Sequence, residues 1–307
     1  MGGGSWTTSS YSSYAHSTGK SYDATTGSLS YARGTRVSDV YKSDSLNEAL
    51  NPRNVMRECC DSDEHPNTIP VILALDVTGS MGRAAMEVAR TLNNIMTKVN
   101  ENNKDVEFCV MAIGDVECDE APVQISQFES DVRIAEQLDK VYFEGGGGGN
   151  YYESYTAAWY FGARHTKLDC WKRGKKGIII TMGDEPLNPY LKAEGGDRGW
   201  GRHGLGLREC SGDSLQDNIG TKELYEEATK KFDIYHIAVD DPACMYKSYK
   251  DDVDRSWKKY LDEDHFKIST IDGLSALIPN IIKNANTEEG SDAGSSGTVL
   301  MENVISW

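Results

Sequence analysis

From Ile69 onward, short unbroken apolar runs alternate with stretches in which apolar side chains recur every three or four positions. IPVILAL (69–75) and GIIITM (177–182) are continuous apolar runs, suited to strands covered on both faces. VEFCVMAIGD (106–115), APVQISQF (121–128), DIYHIAV (233–239) and FKIST (266–270) predict further strands. Between them, residues 82–99 place Ala85, Val88, Leu92, Ile95 and Val99 along one face of an amphipathic helix. Residues 131–141, 154–165, 221–232, 251–261 and 274–285 also read as helices. This alternation predicts an α/β fold: a Rossmann-like, doubly wound, mainly parallel central sheet with helices on both faces and right-handed crossovers. One domain is expected over residues 66–286, with a Gly-rich insertion at about 185–213.

The ends follow other patterns. Residues 1–33 are rich in Gly, Ser, Thr and Tyr, with Leu29 as the sole branched aliphatic. That composition predicts a disordered head, because little apolar surface is available to offset the entropy of ordering. Residues 34–65 read as an irregular lead-in with one short helix near Leu46–Leu50. Residues 287–307 read as a polar linker ending in the apolar tip TVLMENVISW, which raises the possibility of self-assembly.

Charge narrows the function. The 307 residues carry 48 acidic and 32 basic side chains, for a net charge of −16. Such a surface repels phosphate backbones and anionic lipid, so neither nucleic acid nor membrane is expected as a partner. The seven cysteines form no CxxC pair, and no run is long and apolar enough for a membrane span. A reducing, cytoplasmic setting is the expectation.

The candidate chemistry lies in VILALDVTGSMG (71–82), where a buried strand ends in a carboxylate. In open α/β sheets ligands bind beyond the carboxyl ends of the strands, and Asp76 stands there. Asp76, Thr78 and Ser80 alternate, so their oxygens can face one side. One carboxylate and two hydroxyls suit a hard, octahedral cation such as Mg²⁺. The same residues would also serve as a helix cap and turn. Two further stretches favour the metal: TMGDEP puts Asp184 just past another buried strand, and GGGGGNYYESY (145–155) brings Asn150, Glu153 and Ser154 toward the same edge.

LDVTGSM resembles the DxSxS element of von Willebrand factor A (vWA) domains, with Thr78 in place of the commoner middle serine. Asp184 in MGDEP is similar to that family's later aspartate. The Gly-rich GGGGGNYYESY and the IGD at 113–115 resemble intracellular members. The resemblance covers about residues 66–286 and implies a metal-ion-dependent adhesion site for Mg²⁺ or Mn²⁺. Its ligands would be Asp76, Thr78, Ser80, Ser154 and Asp184, with Glu153 competing for the place of Ser154. It further implies an intracellular adaptor whose open coordination position takes a carboxylate from a protein partner, such as an AAA+ ATPase or a kinase-like protein.

An enzyme is not expected: GxxxxGK[ST], HExxH and GxSxG are all missing. His236 lies in a strand and reads as a core residue, and His165 as the cap of a helix end. The alternative is a structural protein assembled through its tails; a Mg²⁺-dependent hydrolase or phosphotransferase is the remaining reading. Asp115 in the loop after the second strand, with Asn150, Arg198, Trp200 and Arg202, forms the expected partner-binding rim.

Overall fold

The computed structural model describes residues 4–145, 150–196 and 204–288. The sequence expectations for Arg198, Trp200 and Arg202 and for the tip at 298–307 lie outside the described residues. In chain order the structure opens with α1 (Thr8–Ser17), β1 (Tyr22–Asp23), β2 (Ser28–Leu29), α2 (Val37–Val40) and β3 (Arg57–Cys59). Next come β4 (Ile69–Asp76), α3 (Gly82–Asn102), β5 (Val106–Ile113), β6 (Val123–Ile125), α4 (Arg133–Leu138), α5 (Thr156–Arg164), β7 (Thr166–Leu168) and β8 (Gly177–Gly183). The rest comprises β9 (Tyr190–Leu191), α6 (Gly206–Ser211), β10 (Ile219–Gly220), α7 (Thr221–Ala228), β11 (Phe232–Val239), α8 (Tyr246–Trp257), β12 (Phe266–Ser269) and α9 (Leu274–Glu288).

Six strands form the central sheet in the order β12-β11-β8-β4-β5-β6. All neighbours are parallel except β5 and β6, which are antiparallel. Because side chains alternate along a strand, β4 feeds two cores. Val71, Leu73 and Leu75 pack with α3 and α9, whereas Ile72 and Ala74 pack under α5, α7 and α8. This mixed α/β architecture, with a mainly parallel sheet, is compatible with a vWA-like fold. β4 lies between β5 and β8, so the chain moves to one side of it first and to the other later. In open α/β sheets ligands bind at such a reversal, here the carboxyl end of β4.

Several elements are shorter than the periodicity predicts. The helix expected over 131–141 is only Arg133–Leu138, and the helix near Leu46–Leu50 is a single 3-10 turn, Glu48–Leu50. The insertion is not a bare loop. β9 pairs with β10, and Leu207 and Cys210 of α6 are buried in the second core.

The head corrects the sequence expectation most clearly. Residues 1–33 were expected to be disordered, yet Trp6 is only 5 % exposed and Tyr11 2 %. Thr7 caps α1 by accepting from the Ser10 amide, and Tyr11 and Ala15 share its buried face. Trp6 and Tyr11 rings lie 5.2 Å apart, and Trp6 Nε1 donates to Asn93 Oδ1 of α3 at 3.1 Å. The Gly4 carbonyl accepts from Ser130 Oγ at 2.6 Å and lies 2.8 Å from His65 Nε2. Aromatic rings supply the buried area that aliphatics would normally give, roughly 150–250 Å² each. The lead-in joins the same body: β3 pairs with β7, and the buried Arg57 donates to the carbonyls of Ala49 and Ile125. The boundary expected at residue 66 therefore does not separate two structural units.

His236 is fully buried in β11 and stacks on Trp257 with centroids 3.6 Å apart. Thr181 Oγ1 donates to the Tyr235 carbonyl, so His236 Nδ1 is the donor in its 2.9 Å bond to that hydroxyl. Burial pushes the imidazole well below the ordinary histidine value.

Two outcomes are expected. Tyr11→Ala should lower folding stability by about 3 kcal/mol in urea denaturation; an unchanged midpoint would show that the head does not dock. Below the unfolded histidine value near pH 6.5, the unfolded chain takes a proton that native His236 refuses. Stability should therefore fall with pH at up to ~1.4 kcal/mol per unit from this group. A His236→Gln protein measured between pH 6.5 and 5 should show a correspondingly shallower slope.

Candidate functional site

Asp76 ends β4 with 1 % exposure. The chain turns there, and Asp76 Oδ1 accepts from the Thr78 amide at 2.8 Å and the Thr78 hydroxyl at 2.5 Å. Its other oxygen accepts from Tyr155 Oη at 2.7 Å. A 3-10 turn, Gly79–Met81, leads into α3 and places Ser80 over β8. Ser80 Oγ donates to Asp184 Oδ1 at 3.2 Å, and Asp184 Oδ2 accepts from the Met245 amide at 2.5 Å. The sheet thus brings Asp76, Thr78, Ser80 and Asp184 together at neighbouring strand ends.

Two further carboxylates crowd this group. Glu153 is 2 % exposed, and its Oε2 has no hydrogen-bond partner among the described residues. Burial, and then the charges of Asp76, Glu185 and Asp115, raise it well above the usual carboxylate range. Glu185 is pushed up to about 8 by burial, then by Asp76 and Asp184. Asp76 and Asp184 are raised as a pair, chiefly by burial, with Asp184 adding repulsion on Asp76. Among the described residues no basic side chain forms an ion pair with these four acids; Arg83 instead pairs with Asp241, and Lys192 with Glu117.

Ser154 points elsewhere. Its hydroxyl donates to Asp115 Oδ1 at 3.2 Å and accepts from the Val116 amide at 3.0 Å. Asp115 also accepts from Asn150 Nδ2 at 2.7 Å and the Glu117 amide at 3.0 Å. Asn150, Asp115 and Ser154 therefore tie the Gly-rich segment to the loop after β5. The insertion joins that loop through Gly196 N to the Glu117 carbonyl and Gly206 N to the Val116 carbonyl, both at 2.8 Å. Of the two sequence candidates, Glu153 is the one in the field of Asp76.

Sequence reasoning missed Tyr155 and Glu185. Glu185 follows Asp184 directly, and that adjacency was a usable signal. Tyr155 gave none, because its partner belongs to a strand 79 residues away. Its placement depends on Gly183: a Cβ there would sit 2.0 Å from Tyr155 Oη.

The donor set tests whether a cation fits. Among the described residues no three His, Cys, Asp or Glu side chains converge as a ready-made metal cluster. The set is instead carboxylates with hydroxyls, and Thr78 and Ser80 each keep oxygen lone pairs after donating. All donors are hard oxygens, the surrounding charge is negative, and Glu153 Oε2 lacks a partner among the described residues. These features fit Mg²⁺ or Mn²⁺.

No protein-family model and no curated protein sequence matches the chain. Solved structures with similar cores include the pilus adhesin SpaC from Lactobacillus rhamnosus GG, in its open conformation. It is 14 % identical with a TM-score of 0.48, over 77 % of this chain and 31 % of the adhesin. Proximal thread matrix protein 1 from the mussel byssus is 12 % identical with a TM-score of 0.43, over 76 % and 47 %. The vWF domain of the type V pili tip protein Mfa5 from Porphyromonas gingivalis is 14 % identical with a TM-score of 0.41, over 76 % and 98 %. The chain thus spans under half the length of the adhesin and of the thread protein. At such scores the likenesses carry no argument about function, which rests on the site itself.

Removing the Tyr155 hydroxyl should leave Asp76 Oδ2 without its donor. We expect Tyr155→Phe to cost about 1.5–3 kcal/mol in urea denaturation with EDTA present, the range for hydrogen bonds to charged groups. A cost near zero would mean that this bond does not hold the carboxylate.

Proposed function

We propose that the chain is a protein-recognition module of the vWA type, doubly wound, that works through a bound Mg²⁺ or Mn²⁺. Asp76, Thr78, Ser80 and Asp184 would hold the ion, directly or through water, with Glu153 as the adjoining carboxylate in place of Ser154. One observation carries this reading: among the described residues the carboxylates at these strand ends form no ion pair with a basic side chain, and Glu153 Oε2 has no hydrogen bond. Repelling charges in a low-dielectric setting cost stability unless they take up protons or a counter-ion joins them. A divalent cation supplies it. An octahedral ion with this donor set retains open positions, and a partner carboxylate can fill one. The metal then bridges two acidic proteins that would otherwise repel.

Binding is favoured over catalysis by how the histidines are used. His236 is stacked in the core, and His165 lies between Asp213 Oδ2 at 2.7 Å and the Val55 carbonyl at 3.1 Å. A reducing, cytoplasmic setting belongs to the proposal, supported by seven free cysteines, six of them buried. An AAA+ ATPase or kinase-like partner, implied by the vWA resemblance, belongs to it as well. Assembly through the tails is less favoured, because Trp6 and Tyr11 of the head are buried in the chain's own core.

The test is thermal or urea unfolding with Mg²⁺ and with EDTA, on the wild type and Asp76→Asn. At Mg²⁺ one hundred times its Kd, the wild type should gain about 2.7 kcal/mol, and Asp76→Asn should gain none. Equal gains in both proteins would place the ion elsewhere and sink the proposal. A lysate pull-down run under the same conditions would then identify the partner.

A further inference from the structure

Beside the carboxylates runs a groove of about 670 Å³, within the ~300–1,000 Å³ range of ligand clefts. It is continuous with the site through the backbone. Tyr151 and Tyr152 on one wall immediately precede Glu153, and Pro186 and Leu187 on the other immediately follow Glu185. Glu153 and Leu187 are bridged as in parallel strands. The floor is fixed to α8, where Ser256 Oγ accepts from the Leu187 amide at 3.0 Å and Trp257 Nε1 donates to the Glu185 carbonyl at 3.3 Å. The walls of the groove are thus one or two residues along the chain from Glu153 and Glu185.

The lining has its own chemistry. Four large apolar side chains are exposed among the described residues; Tyr151 lines the groove, and Tyr190 lies outside its lining, next in sequence to the lining residue Pro189. Tyr151 is 70 % exposed and packs edge-on to Tyr249 at 6.0 Å; Tyr190 is 36 % exposed and bonds with Tyr152. Exposed aromatics beside a cleft are typical anchors for a partner's apolar side chain. The charged lining residues are Asp252, Arg255 and Lys259, a net charge of +1 in a chain whose total is −16. Arg255 is paired only with its neighbour Asp252, and Lys259 makes no ion pair among the described residues. An acidic partner is repelled by the general surface and attracted at this lining.

We propose that the partner is a linear acidic segment whose metal-binding carboxylate lies within about four residues of a large apolar side chain seated in this groove. The inference rests on the metal-bridge reading above and adds the identity of the neighbouring position. The metal supplies the shared carboxylate contact, and the tyrosine groove supplies discrimination among acidic partners. Lys259 and Arg255 take up further acidic residues of the segment.

A random dodecapeptide phage library selected on the immobilised full chain in Mg²⁺ tests this. The expected consensus is an Asp or Glu with Phe, Trp, Tyr, Leu or Met within four positions. A fluorescein-labelled consensus peptide should bind Tyr249→Ser at least about tenfold more weakly, the scale of a lost interface anchor. Lys259→Ala should weaken it about threefold, and Asp76→Asn or EDTA should abolish binding. An unchanged Mg²⁺-dependent thermal shift in Tyr249→Ser and Lys259→Ala verifies that both variants are folded. An acidic consensus without an apolar position, bound equally by Tyr249→Ser, overturns the groove and leaves the metal bridge standing. An apolar consensus that binds undiminished in EDTA overturns the metal bridge, and with it this inference. Absence of any enrichment overturns both.

Discussion

The carboxyl ends of β4 and β8 hold Asp76 and Asp184 out of water, side by side, with Glu153 and Glu185 against them. Like charges at such burial repel strongly, since the interior screens them far less than solvent does. Much of the surrounding geometry manages this repulsion. Thr78 turns its amide and hydroxyl toward Asp76, Tyr155 donates from α5's leading edge, and Ser80 and the Met245 amide serve Asp184. These donors hold the carboxylates in place without neutralising them. Burial and mutual repulsion raise these carboxyls, so a divalent cation binding here would displace protons.

That arrangement constrains neighbouring elements in turn. Gly183 must lack a side chain for Tyr155 to reach Asp76. Ser154 and Asn150 anchor the Gly-rich segment to Asp115, which frees Glu153 to face inward. The insertion then packs its backbone on the same Asp115–Asp119 loop, stiffening one side of the crevice. On the other side Trp257 and Ser256 fix the Glu185–Leu187 turn, so the groove and the acidic group share one support.

The head adds a second lesson about composition. Gly, Ser, Thr and Tyr in excess read as disorder when apolar content is counted by aliphatics alone. Spaced tyrosines and one tryptophan instead wrap the outer face of α3, with Trp6, Tyr11 and Leu29 in the same core as Val88 and Leu92. Whether such a segment orders depends on a complementary apolar surface, and that surface exists only once α3 has packed on the sheet.

Local periodicity was enough to reveal the alternating strands and helices, because alternation and three-to-four spacing are properties of neighbouring residues. It also located Asp76, Thr78 and Ser80 as one unit, since they lie on a single turn, and Asp184 as a residue leaving a buried strand. Glu153 was visible but ranked second to Ser154, because one residue of phase at a helix start decides which side chain faces the crevice. Tyr155's bond to Asp76, the tyrosine groove and the docked head belong to the tertiary structure alone. Each joins residues from distant parts of the chain, and only the order in which strands assemble decides which of them meet.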